Sequence, residues 1–127
     1  MIYFPIFIVF IASALVSSSC NADWEKVGES KKGNIFYVDL AKVRKQNRNI
    51  YWWQLINKKY GAPSVKFYIQ ADCENYRVKI LSVFVYKKPM GEGEVRNLKP
   101  PEEWSYPPPN TPGEDSLKAV CKRAEEL

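Results

Sequence analysis

Hydrophobic and polar residues alternate almost without a break along residues 64–73. The apolar set comprises Val65, Phe67, Ile69, Ala71 and Cys73. The other set is polar or amphipathic and comprises Lys66, Tyr68, Gln70 and Asp72. Because successive side chains of a β-strand point to opposite faces, this pattern predicts a strand with Cys73 on its buried face.

Other segments of the chain also have the composition of strands. Residues 24–29 and 34–39 flank a polar turn that ends in Gly33, and they predict a first hairpin. Residues 49–57 are rich in aromatic and branched side chains, which predicts a strand covered at least in part on both faces. Residues 76–87 follow the alternating segment closely enough to return beside it as the second arm of a hairpin.

The C-terminal segment carries the signals of a helix. Thr111, Pro112 and Glu114 occupy the N-cap, first and third helical positions, where a side-chain acceptor, a fixed φ and a carboxylate are favoured. An apolar stripe follows at helical spacing and consists of Leu117, Val120, Cys121 and Ala124. Residues 40–49 predict a helical turn or a loop, and residues 88–110, interrupted by proline and glycine, predict a long connection.

The N-terminal residues differ sharply in composition from the rest of the chain. Residues 1–22 contain no Asp, Glu, Lys or Arg, and residues 2–16 are almost all apolar. This pattern predicts a signal peptide at 1–22 and an exported domain at 23–127. Small residues favour cleavage after Ala22 and a periplasmic or secreted protein, with no later span of a bilayer. The alternative is an outer-membrane lipoprotein lipidated at Cys20, although Ser17 replaces the aliphatic residue of a lipoprotein signal.

Two cysteines, Cys73 and Cys121, each lie in phase with an apolar face. In an oxidising compartment such a pair is better explained as a disulfide than as reactive thiols. A zinc site is the alternative, but it lacks ligands because the chain has no histidine. The sequence therefore predicts an α+β fold, in which an antiparallel β-sheet of about five or six strands carries a C-terminal α-helix on one face, tethered by this disulfide.

The available side chains predict binding and argue against catalysis. Without histidine the usual general base and the common nucleophile pairs are missing. Acidic pairs such as Glu114 and Asp115 fit the charge preference of a helix N-terminus. We therefore expect no enzymatic activity, no cofactor and no metal. A net charge of +5 predicts attraction to anionic surfaces or to extracellular and envelope proteins, and nucleic acid is not expected outside the cell.

Large aromatic side chains on the outward phase of a strand are candidates for a binding surface. They are Tyr51, Trp53 and Tyr68, and the turn that follows the first of these strands adds Lys58 and Lys59. Further basic residues near turns are Lys31, Lys32, Arg44, Lys45 and Arg48. The alternatives are burial of the aromatic residues in the core and scattered solubilising charge for the lysines.

The chain resembles the surface-adhesin protein E family over essentially all of residues 23–127. The resemblance is carried by Asp23-Trp24, Phe36-Tyr37-Val38-Asp39, Tyr51-Trp52-Trp53-Gln54-Leu55, Ala71-Asp72-Cys73, Trp104-Ser105-Tyr106-Pro107-Pro108 and Val120-Cys121. It implies an antiparallel sheet with a disulfide-tethered C-terminal helix. It also implies an adhesin function, in which founding members bind host proteins such as vitronectin, laminin and plasminogen. No ligand residues are carried over, because that function rests on surface segments that vary within the family.

The leading hypothesis is an exported, non-enzymatic binding module that recognises proteins or other anionic surfaces. A structural or envelope-associated periplasmic protein is one alternative, and a small-ligand or inhibitor-type module is another. A well-formed apolar pocket lined by Trp52 or Trp53 would favour the last of these.

Overall fold

The computed structural model describes Tyr3 and residues 23–127. The predicted signal peptide, apart from Tyr3, and the candidate lipidation residue Cys20 lie outside the described residues. Residues 23–127 form one antiparallel sheet of eight strands and a C-terminal α-helix. Within the described part of the chain, no helix is both long enough and apolar enough to cross a membrane.

The strands are β1 (Glu25–Glu29), β2 (Ile35–Val38), β3 (Arg44–Gln46), β4 (Asn49–Asn57), β5 (Ser64–Asp72), β6 (Arg77–Lys88), β7 (Glu92–Leu98) and β8 (Trp104–Ser105). The helical elements are two 3-10 turns, Leu40–Lys42 and Pro89–Gly91, and the helix α1 (Pro112–Glu125). The main path of the sheet has the order β1-β2-β4-β5-β6-β7, while β3 pairs with β4 and β8 pairs with β6. The predicted α+β fold is confirmed, with two short strands added to the six of the main path.

The register of β4 and β5 divides their side chains between the two faces of the sheet. Trp52 lies opposite Ile69, and Trp53 lies opposite Tyr68. Because neighbouring side chains of a strand point in opposite directions, the two adjacent tryptophans enter different environments. Trp52 is buried in the core, whereas Trp53 is half-buried.

A β-bulge in β6 changes which of its side chains share a face. Two successive residues of β5 pair with Ser82 and Ile80, which leaves Leu81 as an extra residue. A bulge re-aims the side chains that follow it. Phe84 consequently lies against Trp53, with ring centroids 5.8 Å apart.

Helix α1 packs on the face of the sheet that carries Trp52. The buried cluster there is Val38, Val43, Ile50, Trp52, Ile69, Ala71, Leu117, Val120 and Ala124. At the start of the helix, Glu114 N–H donates to Thr111 Oγ1 at 3.3 Å, and Pro112 occupies the first turn. The helix therefore begins where its capping residues predict.

The disulfide joins Cys73, directly after β5, to Cys121 in α1. The two Cα atoms are 5.9 Å apart, inside the usual range of about 4.4–6.8 Å for a disulfide. The predicted pairing is confirmed, and both thiols are used by it, so neither remains as a zinc ligand. The bond fixes the helix to the end of a central strand.

The long connection predicted for residues 88–110 is wrong in part, because β7 and β8 form within it. All residues of β7 are exposed, including Val95 and Leu98. An edge strand with neither face buried needs no hydrophobic alternation, since it is held by backbone hydrogen bonds to β6. Residues 40–49 likewise contain both the predicted helical turn and the short strand β3.

Candidate functional site

The face of the sheet opposite α1 carries a row of aromatic side chains. We call Tyr51, Trp53, Tyr68 and Phe84 the aromatic face. They come from three adjacent strands, β4, β5 and β6, and each is half-buried. The alternation of each strand places them there, and in β4 and β5 the neighbouring residues Ile50, Trp52 and Ile69 belong to the core beneath the helix.

The rings of the aromatic face contact one another across the strands. Trp53 lies 4.8 Å from Tyr68, and Tyr51 lies 6.1 Å from Tyr68, measured between ring centroids. Offset or tilted ring pairs at such distances contribute about 0.5–1.5 kcal/mol each beyond their buried area. The row is therefore ordered by its own contacts while parts of its rings stay in water.

Arg44 extends this row at the β3 side of the sheet. Its guanidinium donates a hydrogen bond to the Tyr68 hydroxyl at 2.9 Å and lies 5.9 Å from the centroid of the Tyr51 ring. A guanidinium at this distance from an aromatic ring is in cation–π range. The aromatic face thus has a positive, hydrogen-bonding rim on the same side of the sheet.

A pocket of about 240 Å³ lies next to the aromatic face. We call it the Trp24 pocket, and its walls are Trp24, Asp39, Lys42, Trp53, Lys66, Phe84 and Tyr86. It combines four aromatic rings with two cations and one carboxylate. Trp53 and Phe84 belong to both the pocket and the aromatic face, so the two features are continuous.

Lys66 is the central cation of the Trp24 pocket. Its ammonium lies 5.6 Å from the Trp24 ring and 5.2 Å from the Tyr86 ring. Burial, followed by repulsion from Lys42, lowers the pKa of Lys66 below its usual value. Burial also raises the pKa of the Tyr86 hydroxyl. Gly91 packs against the Lys66 side chain, where any added Cβ would collide with it.

Asp39 gives the pocket a buried carboxylate. The residue is 1% exposed, and neither carboxylate oxygen has a hydrogen-bond partner within residues 23–127. The nearest cation is Lys42, whose Nζ is 3.9 Å from Oδ2, which is too long for a hydrogen bond. A buried carboxylate without donors is unfavourable, so this group favours any donor that reaches it.

The residues predicted as a binding surface divide into two groups in the structure. Tyr51, Trp53 and Tyr68 are brought together on the aromatic face. Lys58 and Lys59 are exposed in the turn between β4 and β5, beyond the last residue of β4. The Lys59 backbone N–H donates to Asn34 Oδ1 at 3.1 Å, which ties this turn to the β1–β2 turn. The two lysines therefore form no part of the aromatic row.

Sequence reasoning missed most of the walls of the Trp24 pocket. Lys66 could have been found, because it alternates in phase with Tyr68. Trp24 and Asp39 come from the first hairpin, and no local pattern relates them to β5. Their contribution depends on how β1 and β2 join the sheet through β4, which is a tertiary property.

A second cleft, of about 660 Å³, lies beside the disulfide at the opposite end of β4 from Lys58. Its charged walls are Lys45, Arg48, Glu74, Lys118, Lys122 and Glu125. Four cations face two carboxylates here. The cleft therefore adds a positive region separate from the aromatic face.

The fold and these surfaces define a small α+β domain, stapled by a disulfide, that presents aromatic and basic side chains on an uncovered sheet face. The chain belongs to the surface-adhesin protein E family, whose model matches residues 24–122. This match confirms the resemblance seen in the sequence. No curated protein sequence matches the chain.

Several solved structures share this fold. Crystal form II of Haemophilus influenzae protein E has a TM-score of 0.67 and 16% identity, with 82% of this chain and 91% of that chain covered. A second structure of Haemophilus influenzae protein E has a TM-score of 0.66 and 15% identity, with 86% and 91% covered. Protein E from non-typeable Haemophilus influenzae has a TM-score of 0.55 and 16% identity, with 87% and 93% covered. At these identities the likeness shows the fold alone.

Proposed function

We propose that the protein is an exported, non-enzymatic adhesin-like module that binds proteins or other anionic surfaces outside the cytoplasm. The observation that carries this proposal is the contiguity of Arg44, Tyr51, Tyr68 and Trp53 on one side of the sheet. Arg, Tyr and Trp are the residue types enriched among the residues that dominate binding energy at protein interfaces. Membership of the surface-adhesin protein E family supports the same function.

Charge supports the preference for anionic partners. The net charge is +5, and the cleft beside the disulfide places Lys45, Arg48, Lys118 and Lys122 around one opening. Lys58 and Lys59 add charge at the other end of β4. Positive regions at both ends of the sheet would steer acidic partners toward the aromatic face between them.

The experiment is a binding assay on immobilised extracellular proteins, including vitronectin, laminin and plasminogen. Purified protein spanning 23–127 should bind at least one of them, and binding should weaken as salt rises from about 0.05 M to about 0.5 M, because screening shortens the reach of surface charges. Arg44→Ala and Tyr51→Ala should each lower affinity by about tenfold, as expected for central interface residues.

The matched control is Tyr60→Ala. Tyr60 is 71% exposed, lies beside Lys59 in the β4–β5 turn, and stands outside the aromatic face. Equal losses for Tyr51→Ala and Tyr60→Ala would contradict the assigned surface. Absence of binding to the whole panel, together with retention on purified cell envelopes, would instead support the envelope-associated alternative.

A further inference from the structure

The Trp24 pocket contains charged groups of both signs. Asp39 offers a buried carboxylate that has no hydrogen-bond donor within residues 23–127, and no carboxylate of those residues lies within hydrogen-bond distance of Lys42 or Lys66. The walls between them are the rings of Trp24, Trp53, Phe84 and Tyr86. A complementary ligand must therefore present donors, acceptors and a flat apolar surface within one small volume.

The size of the pocket limits the ligand to one ring or one side chain. Its volume of about 240 Å³ is below the roughly 300–1,000 Å³ that is usual for sites that enclose drug-sized molecules. The pocket is also open to solvent at one side of the sheet, so a longer chain attached to the bound ring could continue outside. The volume fits one unit of a larger molecule.

Two other ligand classes fit the pocket poorly. An organic cation would suit the aromatic rings, but the Lys66 ammonium already lies over Trp24 and Tyr86, and Lys42 adds a second positive charge. A purely apolar ligand would bury the Asp39 carboxylate further without giving it a donor. A ligand of either class would give the charged groups of the pocket less favourable interactions than water gives them.

A pyranose ring meets all three requirements. Its hydroxyls both donate and accept hydrogen bonds, which suits a carboxylate and two ammonium groups in one site. The C–H groups of its flatter face suit the electron-rich faces of aromatic rings. Because two cations face one anion here, a sugar that carries its own carboxylate gains a charge-assisted hydrogen bond.

We propose that the Trp24 pocket binds one acidic sugar ring of a glycan. Lys66 holds the sugar carboxylate, Asp39 accepts from a ring hydroxyl once the exposed Lys42 side chain moves aside, and the rings of Trp24 and Trp53 pack on the C–H face. This inference rests on the proposed function only in that an exported domain meets glycans. Tyr51 and Arg44, which test that function, do not line the pocket.

The test is a titration followed by tryptophan fluorescence and by saturation-transfer NMR. The probes are methyl glucuronide, methyl glucoside, a sialylated trisaccharide and an unsulfated uronic-acid disaccharide. We expect methyl glucuronide to bind with a dissociation constant on the order of 1 mM, as for a ligand of its size, and methyl glucoside about tenfold more weakly. The trisaccharide and the disaccharide decide whether the acidic ring comes from sialylated chains or from uronic-acid polymers.

The variants are Lys66→Met and Asp39→Asn. Lys66→Met keeps most of the length of the side chain and removes its charge, so it should reduce methyl glucuronide binding about tenfold while leaving methyl glucoside binding nearly unchanged. Asp39→Asn should weaken both sugars. The matched control is Lys79→Met, which removes a half-buried lysine 4.6 Å from the Trp104 ring outside the pocket and should change neither affinity.

Several results would overturn the proposal. They are tighter binding of choline than of any sugar, equal losses in Lys66→Met and Lys79→Met, or no saccharide binding at about 20 mM, well above the expected constant. If Asp39→Asn fails to fold, Lys66→Met still decides the outcome, because Lys66 is half-buried and its replacement removes no core contact. If the wild-type protein binds the protein panel but no sugar, this inference alone is overturned. If it binds the sugar but none of the proteins, the proposed function alone is overturned.

Discussion

The two faces of the sheet are built from the same strands but lie in different environments. Beneath α1, Trp52 is 1% exposed and is surrounded by apolar side chains. On the opposite face its neighbour Trp53 packs against the rings of Tyr68 and Phe84 and stays half-buried. Tryptophan therefore has two different roles in this domain. The closed face stabilises the domain, and the open aromatic face keeps large rings available to a partner.

The sharpest test of this comparison replaces each of the adjacent tryptophans in turn. Trp52→Ala should lower the free energy of unfolding by about 3–5 kcal/mol, because it leaves a cavity in the core and removes the donor that bonds Gln54 Oε1 at 3.2 Å. Trp53→Ala should cost about 2 kcal/mol, since it loses mainly ring contacts. Urea unfolding followed by circular dichroism measures both.

Binding should show the reverse order for the two variants. Trp53→Ala should reduce binding to the immobilised protein panel, whereas Trp52→Ala, measured where it is still folded, should not. Comparable stability losses in the two proteins would show that the aromatic face is a second core and not a free surface.

The disulfide, which tethers α1 to the closed face, should have the next largest effect on stability. It closes a separation of 48 residues, for which the chain-entropy model gives a stabilisation of about 4 kcal/mol, less any native strain. Cys73→Ala with Cys121→Ala should therefore lower the unfolding free energy by up to that amount. The aromatic face should keep its fluorescence in the absence of denaturant, because none of its rings contacts α1. A loss below about 1 kcal/mol would mean that packing alone holds the helix.

The closed face was largely predictable from the sequence. Period-two alternation in β5 and helical spacing in α1 each place a cysteine on an apolar face. Thr111 and Pro112 mark the start of the helix through backbone requirements that are local in sequence. Burial and capping depend on residues that are close together in the sequence. The α+β fold and the disulfide can therefore be predicted from this sequence alone.

The open face was predictable only in part. The alternation that buries Trp52 also turns Tyr51, Trp53 and Tyr68 outward, so their common face follows from the strands. The pocket does not follow, because Asp39 and Trp24 reach Lys66 through a strand order that local patterns do not specify. Sequence proximity predicts that Lys58 and Lys59 belong with these rings, whereas the β4–β5 turn places both lysines beyond the end of β4.

The helix cap offers a smaller test that acts on the closed face alone. Thr111→Ala removes the acceptor for Glu114 N–H and the hydroxyl that donates to Pro108 O at 2.7 Å. We expect a loss of about 1 kcal/mol in unfolding free energy, with binding to the protein panel unchanged. Thr111→Ser is the matched control, because serine keeps both hydrogen bonds. A similar loss in both variants would assign the effect to the threonine methyl group.

The smallest expected effects concern the pH dependence of two residues of β5, Lys66 and Asp72. On the open face, burial and repulsion from Lys42 lower the pKa of Lys66 below 10.5. Between that lowered pKa and 10.5 the unfolded chain binds more protons, so stability should rise with pH there. In the turn next to Cys73, a hydrogen bond from the Asn75 side chain and then the nearby Arg77 lower the pKa of Asp72 below 3.8. Its stabilisation should be present above that value and lost as the pH falls through the lowered pKa.

Urea midpoints measured across both pH ranges test this pair of effects. Lys66→Met should raise stability near neutral pH and reduce the rise toward alkaline pH, since it removes a charge that folding disfavours. Asp72→Asn should reduce the loss in acid, because its amide does not ionise. The open face would then carry a charged group that lowers the stability of the fold, as expected for a residue whose role is binding. If either variant keeps the full pH dependence of the wild-type protein, other groups control it and this contrast between Lys66 and Asp72 does not hold.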